Sequence, residues 1–408
     1  MQYTTFTGND ALLMRQLGGP RPANGMNHSS IPRVAFVLHI MQVAGAEVLV
    51  REIIHRLAGQ IDPVVLCLDA IGSIGEQLRS AGTPVICLER KPGRDWGVAW
   101  RLARELRHRR IDVVHAHQYT PFFYAALARL RCWLRPKLIF TEHGRHFPDV
   151  VSPMRRRVNR IFLSRLANAI NACSAFSARA LAETDGFRHR PIEVIENGIE
   201  LARYAPVTDR AALRTTLELD PDRRYLLCVA RFHPVKDHDL LLRGFARLAS
   251  QRLDIDLLLA GDGPLRETLQ SQADQLGIRQ RVRFLGIRSD VPRLLQAVDA
   301  FALTSVSEAA SLTVLEAMAS RLPIVVTAVG GNPEMIRDQQ EGLLVPRGDV
   351  EALATALLRI FDDQALARRL GDAARQRVEE RYQLEQTVER YRQLYYKLTD
   401  HASHRAAN

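Results

Sequence analysis

The sequence predicts an α/β protein with two open parallel sheets, one in each half of the chain, facing each other across a cleft. Three observations carry this prediction. The chain has 408 residues, which points to two domains of about 150–200 residues rather than one core. Short apolar runs alternate with helical periodicity along most of its length, the pattern of strands buried under helices on both faces. The pattern then starts afresh in the second half, with the boundary expected near Glu200–Asp209.

In order, residues 1–30 lack the apolar block of a secretory signal and read as a flexible tail rich in Gly, Asn and Pro. Residues 31–203 form the first expected domain. Its strands are Arg33–Ile40, Pro63–Leu68, Pro84–Leu88, Val113–Ala116, Leu138–Thr141, Ala169–Cys173 and Ile192–Ile195. Helices are expected between them at Ala46–Ala58, Ile74–Ala81, Gly97–Arg109 and Pro121–Leu130. Residues 204–383 form the second domain. Strands are expected at Tyr225–Ala230, Ile255–Ala260, Val282–Leu285, Ala300–Thr304, Ile324–Thr327 and Gly342–Val345, with a helix at Asp239–Ser250. A last helix, 384–400, carries Val388, Tyr391, Leu394, Tyr395 and Leu398 on one stripe that needs a partner surface.

Composition narrows the class. Hydrophobic residues make up 47% and charged residues 25%, the profile of a globular protein. No run of about 18 apolar residues exists to form a spanning helix. Five widely spaced cysteines with no C-x-x-C pair argue against zinc and a disulfide framework, and fit a reducing cytoplasm. The net charge of +11 is unevenly placed: up to Arg203 there are 28 Lys+Arg against 17 Asp+Glu, and beyond it the charges cancel. Basic clusters stand at Arg101–Arg110, Arg129–Lys137 and Met154–Arg160. They are either solvated helix faces or a surface for an anionic partner, phospholipid or nucleic acid. In 154–166, Val158, Ile161, Phe162 and Leu163 beside Arg155, Arg156, Arg157 and Arg160 suit a membrane interface.

Open parallel sheets bind ligands at the carboxyl ends of their strands, so chemistry-bearing residues are sought there. Glu308 follows the strand at Ala300–Thr304, and Glu316 lies eight residues on, inside a helix expected to start near Ser311. The free N–H groups of that first turn make a phosphate site. In a continuous helix the two carboxylates would stand about 12 Å apart. That is too far for a retaining glycosidase pair at roughly 5 Å. It suits two groups holding opposite ends of one long ligand; it also suits an unrelated loop acid and helix acid. Arg231 and Lys236, five residues apart after a strand, match the grip needed on a diphosphate, or are solvated cations. In the first half, Gly45 follows the first strand and opens a helix, without the G-x-G-x-x-G of a dinucleotide site. His117 and His143 each stand at a strand end, suited to donating a hydrogen bond or moving a proton, or to filling a core. Asp254-Ile-Asp256 opens a strand rather than ending one, and reads as a solubilising entry with no metal.

Together these stretches resemble the retaining glycosyltransferases of family 4, with two Rossmann-like domains in the GT-B fold, over about Ile31 to Leu398. The E-x7-E pattern is intact as Glu308 and Glu316, and R-x-x-x-x-K as Arg231 and Lys236. Gly261-Asp-Gly263-Pro264 is similar to the family's G-x-G-P turn, and Glu196-Asn-Gly-Ile199 to its hinge segment. Ala309-Ala310-Ser311 departs from the usual Gly and Pro. The resemblance implies that Arg231, Lys236, Gly263 and the amides near Leu312 and Thr313 bind the donor diphosphate. By the same resemblance, Glu316 holds the ribose and Glu308 a sugar hydroxyl. Gly45 lies near the phosphates, His117 beside the transferred sugar and His143 on the acceptor side. It further implies a UDP- or GDP-sugar donor, a glycan or lipid-linked acceptor and no metal or other cofactor. A cytoplasmic location, peripheral to the inner membrane face, goes with it, as does a closing helix that crosses back to the first domain. Rival readings are a sugar-nucleotide epimerase of the same fold and a basic nucleic-acid-binding protein. The latter leaves Glu308, Glu316 and the strand-end cations without a role, and only 6% of residues are aromatic for stacking bases, so no nucleic acid is expected.

Overall fold

The structure is a computed structural model that describes residues 31–132, 136–144 and 151–406, the last seven by backbone alone. The tail expected at 1–30 and positions 133–135 of the Arg129–Lys137 cluster lie outside the described residues.

The first sheet has seven strands in the order β3-β2-β1-β4-β5-β6-β7. They are β1 (Arg33–Ile40), β2 (Asp62–Ala70), β3 (Val85–Cys87), β4 (Val113–His117), β5 (Lys137–Glu142), β6 (Ala169–Ala172) and β7 (Ile192–Val194). The second has six, ordered β10-β9-β8-β11-β12-β13. These are β8 (Arg224–Val229), β9 (Ile255–Ala260), β10 (Val282–Gly286), β11 (Ala300–Leu303), β12 (Ile324–Thr327) and β13 (Leu343–Val345). Every strand pairing in both sheets is parallel, as the apolar runs predict. In each sheet the order reverses once, between β1 and β4 and between β8 and β11. A crevice opens outside the strand ends at such a reversal.

The two-residue period of β1 sorts its side chains to two cores. Ala35 and Val37 join one apolar cluster, and Val34, Phe36 and Leu38 the cluster on the opposite face. Helix Gly45–Arg56 covers the latter face with Leu49, Val50, Ile53 and Ile54. Each such buried side chain contributes about 1.5–3 kcal/mol. The second sheet has one continuous core, onto which helix Val350–Asp362 packs. That helix starts where Asp349 accepts a bond from the Ala352 amide at 2.9 Å, a side-chain cap.

The closing helix runs Leu384–Ala406, longer than its apolar stripe predicts. Its Leu384, Val388, Tyr391 and Tyr395 complete the core on the β1 face of the first sheet. The chain therefore passes between the halves twice, and the two passages lie side by side. The Ile199 amide donates to Tyr382 O (2.9 Å), and the Leu384 amide to Ile199 O (3.1 Å). Gly198 permits this, because a Cβ there would stand 2.5 Å from Gln383 O.

Two expectations are modified. The segment 154–166, read as a membrane-interface stretch that includes Leu163, is built from Pro153–Val158, a π turn, Asn159–Leu163, and a last turn, Ser164–Leu166. Asn159 is buried in that turn, accepting from the Tyr119 hydroxyl (2.7 Å) and donating to Asp185 O (2.9 Å). Leu163 is buried, while Met154, Val158, Ile161 and Phe162 stay exposed beside the arginines. Asp254 and Asp256 are structural rather than merely solubilising. Asp254 pairs with Arg224 and Arg252, and Asp256 with Arg223 and Arg281.

Candidate active site

The four strands that flank the two reversals each end on predicted site residues. β1 leads into Gly45, β4 ends at His117, β8 leads into Arg231 and β11 leads into Glu308.

After β8 the chain makes a turn at Arg231–Phe232, then a short 3₁₀ segment, Pro234–Lys236. Arg231 is exposed and forms no ion pair with a described residue. The turn rests on Gly261–Pro264: the Phe232 amide donates to Asp262 O at 3.0 Å. Gly263 lies so close beneath that a Cβ would stand 2.5 Å from Phe232 O. Gly263 thus shapes the loop that presents Arg231. Lys236 turns back and its ammonium contacts Glu308 Oε1. Asp237 follows in the left-handed region (φ 47°), a strained place for a non-glycine residue. Its carboxylate caps helix His238–Gln251 at the Leu240 amide.

Glu308 is buried at 9% exposure. Its Oε1 accepts from Lys236 and from the Ser305 hydroxyl (2.6 Å). The loop around it is held from below. The Thr327 hydroxyl donates to Ser305 O (2.6 Å), the Val306 amide to Val235 O (2.8 Å) and the Gly331 amide to Glu308 O (2.9 Å). The sequence reading missed Gly330 and Gly331. A Cβ on either would overlap the carbonyl oxygen of Glu308 or of Ala309. The departure at Ala309-Ala310-Ser311 is therefore accommodated from the other side, and a Gly-Gly pair just after β12 was the available signal.

Helix Leu312–Ala319 begins after Ser311, whose side chain makes no cap bond; its hydroxyl lies 3.1 Å from that of Thr313. The first amides, at Leu312 and Thr313, are thus free for an anion. Helix Gly45–Arg56 of the first half also starts without a side-chain cap. The two starts meet: a Cβ at Gly45 would stand 3.3 Å from Leu312 Cδ1. Deeper in the same helix, Glu316 faces a small pocket shared with Glu52, Asn197, Arg203 and Tyr204. Burial raises its carboxyl to about 7, against a hydrogen bond from Tyr204 and the charge of Arg203, which pull it down.

In the first half, His117 Nδ1 and His143 Nε2 share a hydrogen bond of 2.7 Å. Burial lowers both, His143 to about 4, so the pair is neutral near pH 7. His117 Nε2 and His143 Nδ1 have no protein partner among the described residues. Gln118, directly behind His117, is left-handed at φ 71°. The structure brings Lys236 against Glu308, Gly263 beneath the Arg231–Phe232 turn, and Gly45 against Leu312, whose helix carries Glu316 into a pocket that Leu312 also lines. His117, buried, and His143, half-buried, form a pair at the end of β4 and just beyond β5. No group of three or more His, Cys, Asp or Glu among the described residues is placed to hold a metal.

Residues 43–203 match the family "Glycosyltransferase Family 4" and residues 209–377 the family "Glycosyl transferases group 1". The N-acetyl-alpha-D-glucosaminyl L-malate synthase of Bacillus anthracis is 29% identical over 309 residues, 75% of this chain and 80% of that protein. The D-inositol 3-phosphate glycosyltransferase of Mycobacterium marinum is 33% identical over 257 residues, 60% of this chain. The chain spans little more than half (54%) of that relative. Among solved structures, a glycosyltransferase from Rickettsia africae superposes with a TM-score of 0.80 at 19% identity, covering 90% of this chain and 99% of that one. Anabaena HepE, solved with UDP and glucose, gives 0.79 at 22%, covering 89% and 99%. These likenesses establish a shared fold.

Proposed function

The chain belongs to the family 4, group 1 glycosyltransferases of GT-B fold, and on that premise we propose that it is a retaining hexosyltransferase using a UDP- or GDP-sugar donor. Its acceptor is a glycan or lipid-linked sugar, as polysaccharide or glycolipid synthesis requires. One arrangement supports this above others. The Lys236–Glu308 contact lies beside the uncapped helix start at Leu312, which meets Gly45 of the opposite half.

In this reading the diphosphate lies against the amides of Leu312 and Thr313, between Arg231 and Lys236. As the bond from the anomeric carbon to the phosphate oxygen breaks, negative charge grows on the leaving group, and those donors absorb it. The acceptor oxygen bonds to the anomeric carbon on the face the phosphate leaves, and its proton passes to the leaving phosphate. The chain's own cations supply the neutralising charge, so no metal or cofactor is called for. Glu316 accepts from the ribose hydroxyls. Glu308, aligned by Lys236 and Ser305, accepts from a sugar hydroxyl. His117 donates to the transferred sugar, and His143 borders the acceptor.

A thermal-shift series against UDP- and GDP-sugars tests this, because a ligand of the folded state raises the midpoint. One donor is expected to give a shift that Arg231→Ala and Glu316→Ala each abolish. Unchanged shifts in both variants would place the site elsewhere, and a covalent sugar adduct on any side chain would exclude the front-face step.

The excess charge of the first half and the exposed Met154, Val158, Ile161 and Phe162 among Arg155, Arg156, Arg157 and Arg160 support peripheral binding to an anionic, cytoplasmic membrane face. Co-sedimentation with vesicles containing phosphatidylglycerol is expected, falling with salt and with Arg156→Ala/Arg157→Ala. Equal binding to neutral phosphatidylcholine vesicles would refute it.

A further inference from the structure

Below His117 lies a buried polar cluster that the proposed reaction does not use. His115 sits two residues earlier on β4 and is wholly buried. Its ring centroid is 4.0 Å from that of His117, and both rings pack on Phe36. Its Nδ1 lies 2.8 Å from the Tyr395 hydroxyl, and its Nε2 lies 2.7 Å from Thr141 Oγ1. Tyr395 belongs to the closing helix. So does Tyr391, one turn earlier, whose ring lies 5.1 Å from His115.

The proton directions in this cluster follow from counting. The Thr141 hydroxyl has one proton, and with Asn171 Oδ1 turned toward it, leaving Asn171 Nδ2 unpartnered, it gives that proton to Oδ1. It can then only accept from His115, so His115 carries its proton on Nε2. The bare Nδ1 must accept from the Tyr395 hydroxyl. Each bond is buried, so each unmade partner would carry a full desolvation cost.

We propose that Tyr395 and Tyr391 make the closing helix a positioning element of the active site, locking His115 in its Nε2–H form so that His115 holds the ring of His117 in place. The inference rests on the reading that His117 contacts the sugar. It has a consequence for pH. The groups facing His115 are His117 and His143 from the strand ends and Thr141, Tyr391 and Tyr395 around it. The Tyr395 proton occupies the only basic nitrogen of His115. Without it, His115 takes up a proton more readily, placing a cation against His117.

The test compares wild type, Tyr395→Phe and His117→Ala by steady-state turnover across pH, with side-chain ¹⁵N NMR of His115 in the wild type. Tyr395→Phe is expected to lower kcat about tenfold with the donor KM little changed, as small misplacements of a reacting group do. The acid limb of its kcat profile is expected to move to higher pH, which a merely structural loss would leave in place. The NMR signal is expected to show His115 protonated on Nε2 and bare on Nδ1. A proton on Nδ1 overturns the proposal whether or not the variants fold. So does wild-type kcat and acid limb in Tyr395→Phe alongside an inactive His117→Ala. A fully active His117→Ala instead removes the underlying site reading, and this proposal with it.

Discussion

Glu316 is the residue whose environment sets the plainest pH behaviour. Burial raises its carboxyl to about 7 from an ordinary value of 4.5. The unfolded chain ionises this group near 4.5, while the folded one still holds its proton until about 7. Its contribution to stability is therefore fully present below pH 4.5 and is lost as pH rises through 7. In the proposed role as ribose anchor, binding has the opposite sign, because an ionised carboxylate accepts from two hydroxyls more strongly than a protonated one. Donor affinity should rise from pH 6 to pH 8, by up to about tenfold per unit below the pKa. Glu316→Gln should bind donor weakly at every pH and be relatively more stable than wild type at pH 8 than at pH 5. Titration calorimetry and thermal melts across that range check both, and a pH-independent wild-type affinity would contradict them. What the sequence could not supply at this scale is the partner set. That Glu316 meets Tyr204 and that Glu308 meets Lys236 are facts of chain crossings, with separations of 112 and 72 residues. Local spacing carries no record of them.

Among elements, the strands were the most legible, because a strand buried on both faces must be a short apolar run whatever lies beside it. Arg33–Ile40, Ile255–Ala260 and Ile324–Thr327 have the ends that the runs predict. Strand order was not legible: nothing in the apolar runs says that β1 pairs with β4, and the reversal is what places the site. The turn after Glu308 shows why local rules misjudge a functional loop. Ala309-Ala310-Ser311 lacks the expected Gly and Pro, yet the backbone closeness is provided across the gap by Gly330 and Gly331. Gly331 is the sharper probe of this, because its own backbone lies outside the left-handed region, so a methyl there acts only by overlap. Gly331→Ala should push the turn away and cost about 1–3 kcal/mol, the usual penalty of overpacking. It should also abolish the donor-induced thermal shift. Gly82→Ala, in the left-handed region but with nothing within 4 Å, should lower the midpoint through backbone strain and keep the donor shift. A Gly331→Ala protein with full donor response would show that the turn has room to spare.

At the scale of the whole molecule, the halves are tied by more than the paired passages at Ile199 and Gln383. Glu334, on the second half, reaches the start of helix Ala175–Glu183 on the first. Its carboxylate accepts from the Ala175 amide (2.7 Å) and the Phe176 amide (2.6 Å), with Arg179 at 3.3 Å. A carboxylate on free helix amides combines a charge-assisted hydrogen bond with the favourable end of the helix dipole. The contact lies beside the cleft, since a Cβ on Gly331, the residue directly before Asn332-Pro333, would stand 3.4 Å from Ser174 Cβ. It therefore favours the closed arrangement in which Gly45 meets Leu312. Glu334→Ala should withdraw about 1–2 kcal/mol of that preference. A shift of that size changes a two-state ratio by roughly 5–30-fold. The unliganded variant should accordingly show a larger radius of gyration by small-angle X-ray scattering, and donor should restore the compact value. Its melting should change little if each half keeps its own core, because the lost bonds join the halves rather than build either. A scattering curve identical to wild type without donor would mean that the paired passages and the closing helix alone hold the cleft shut.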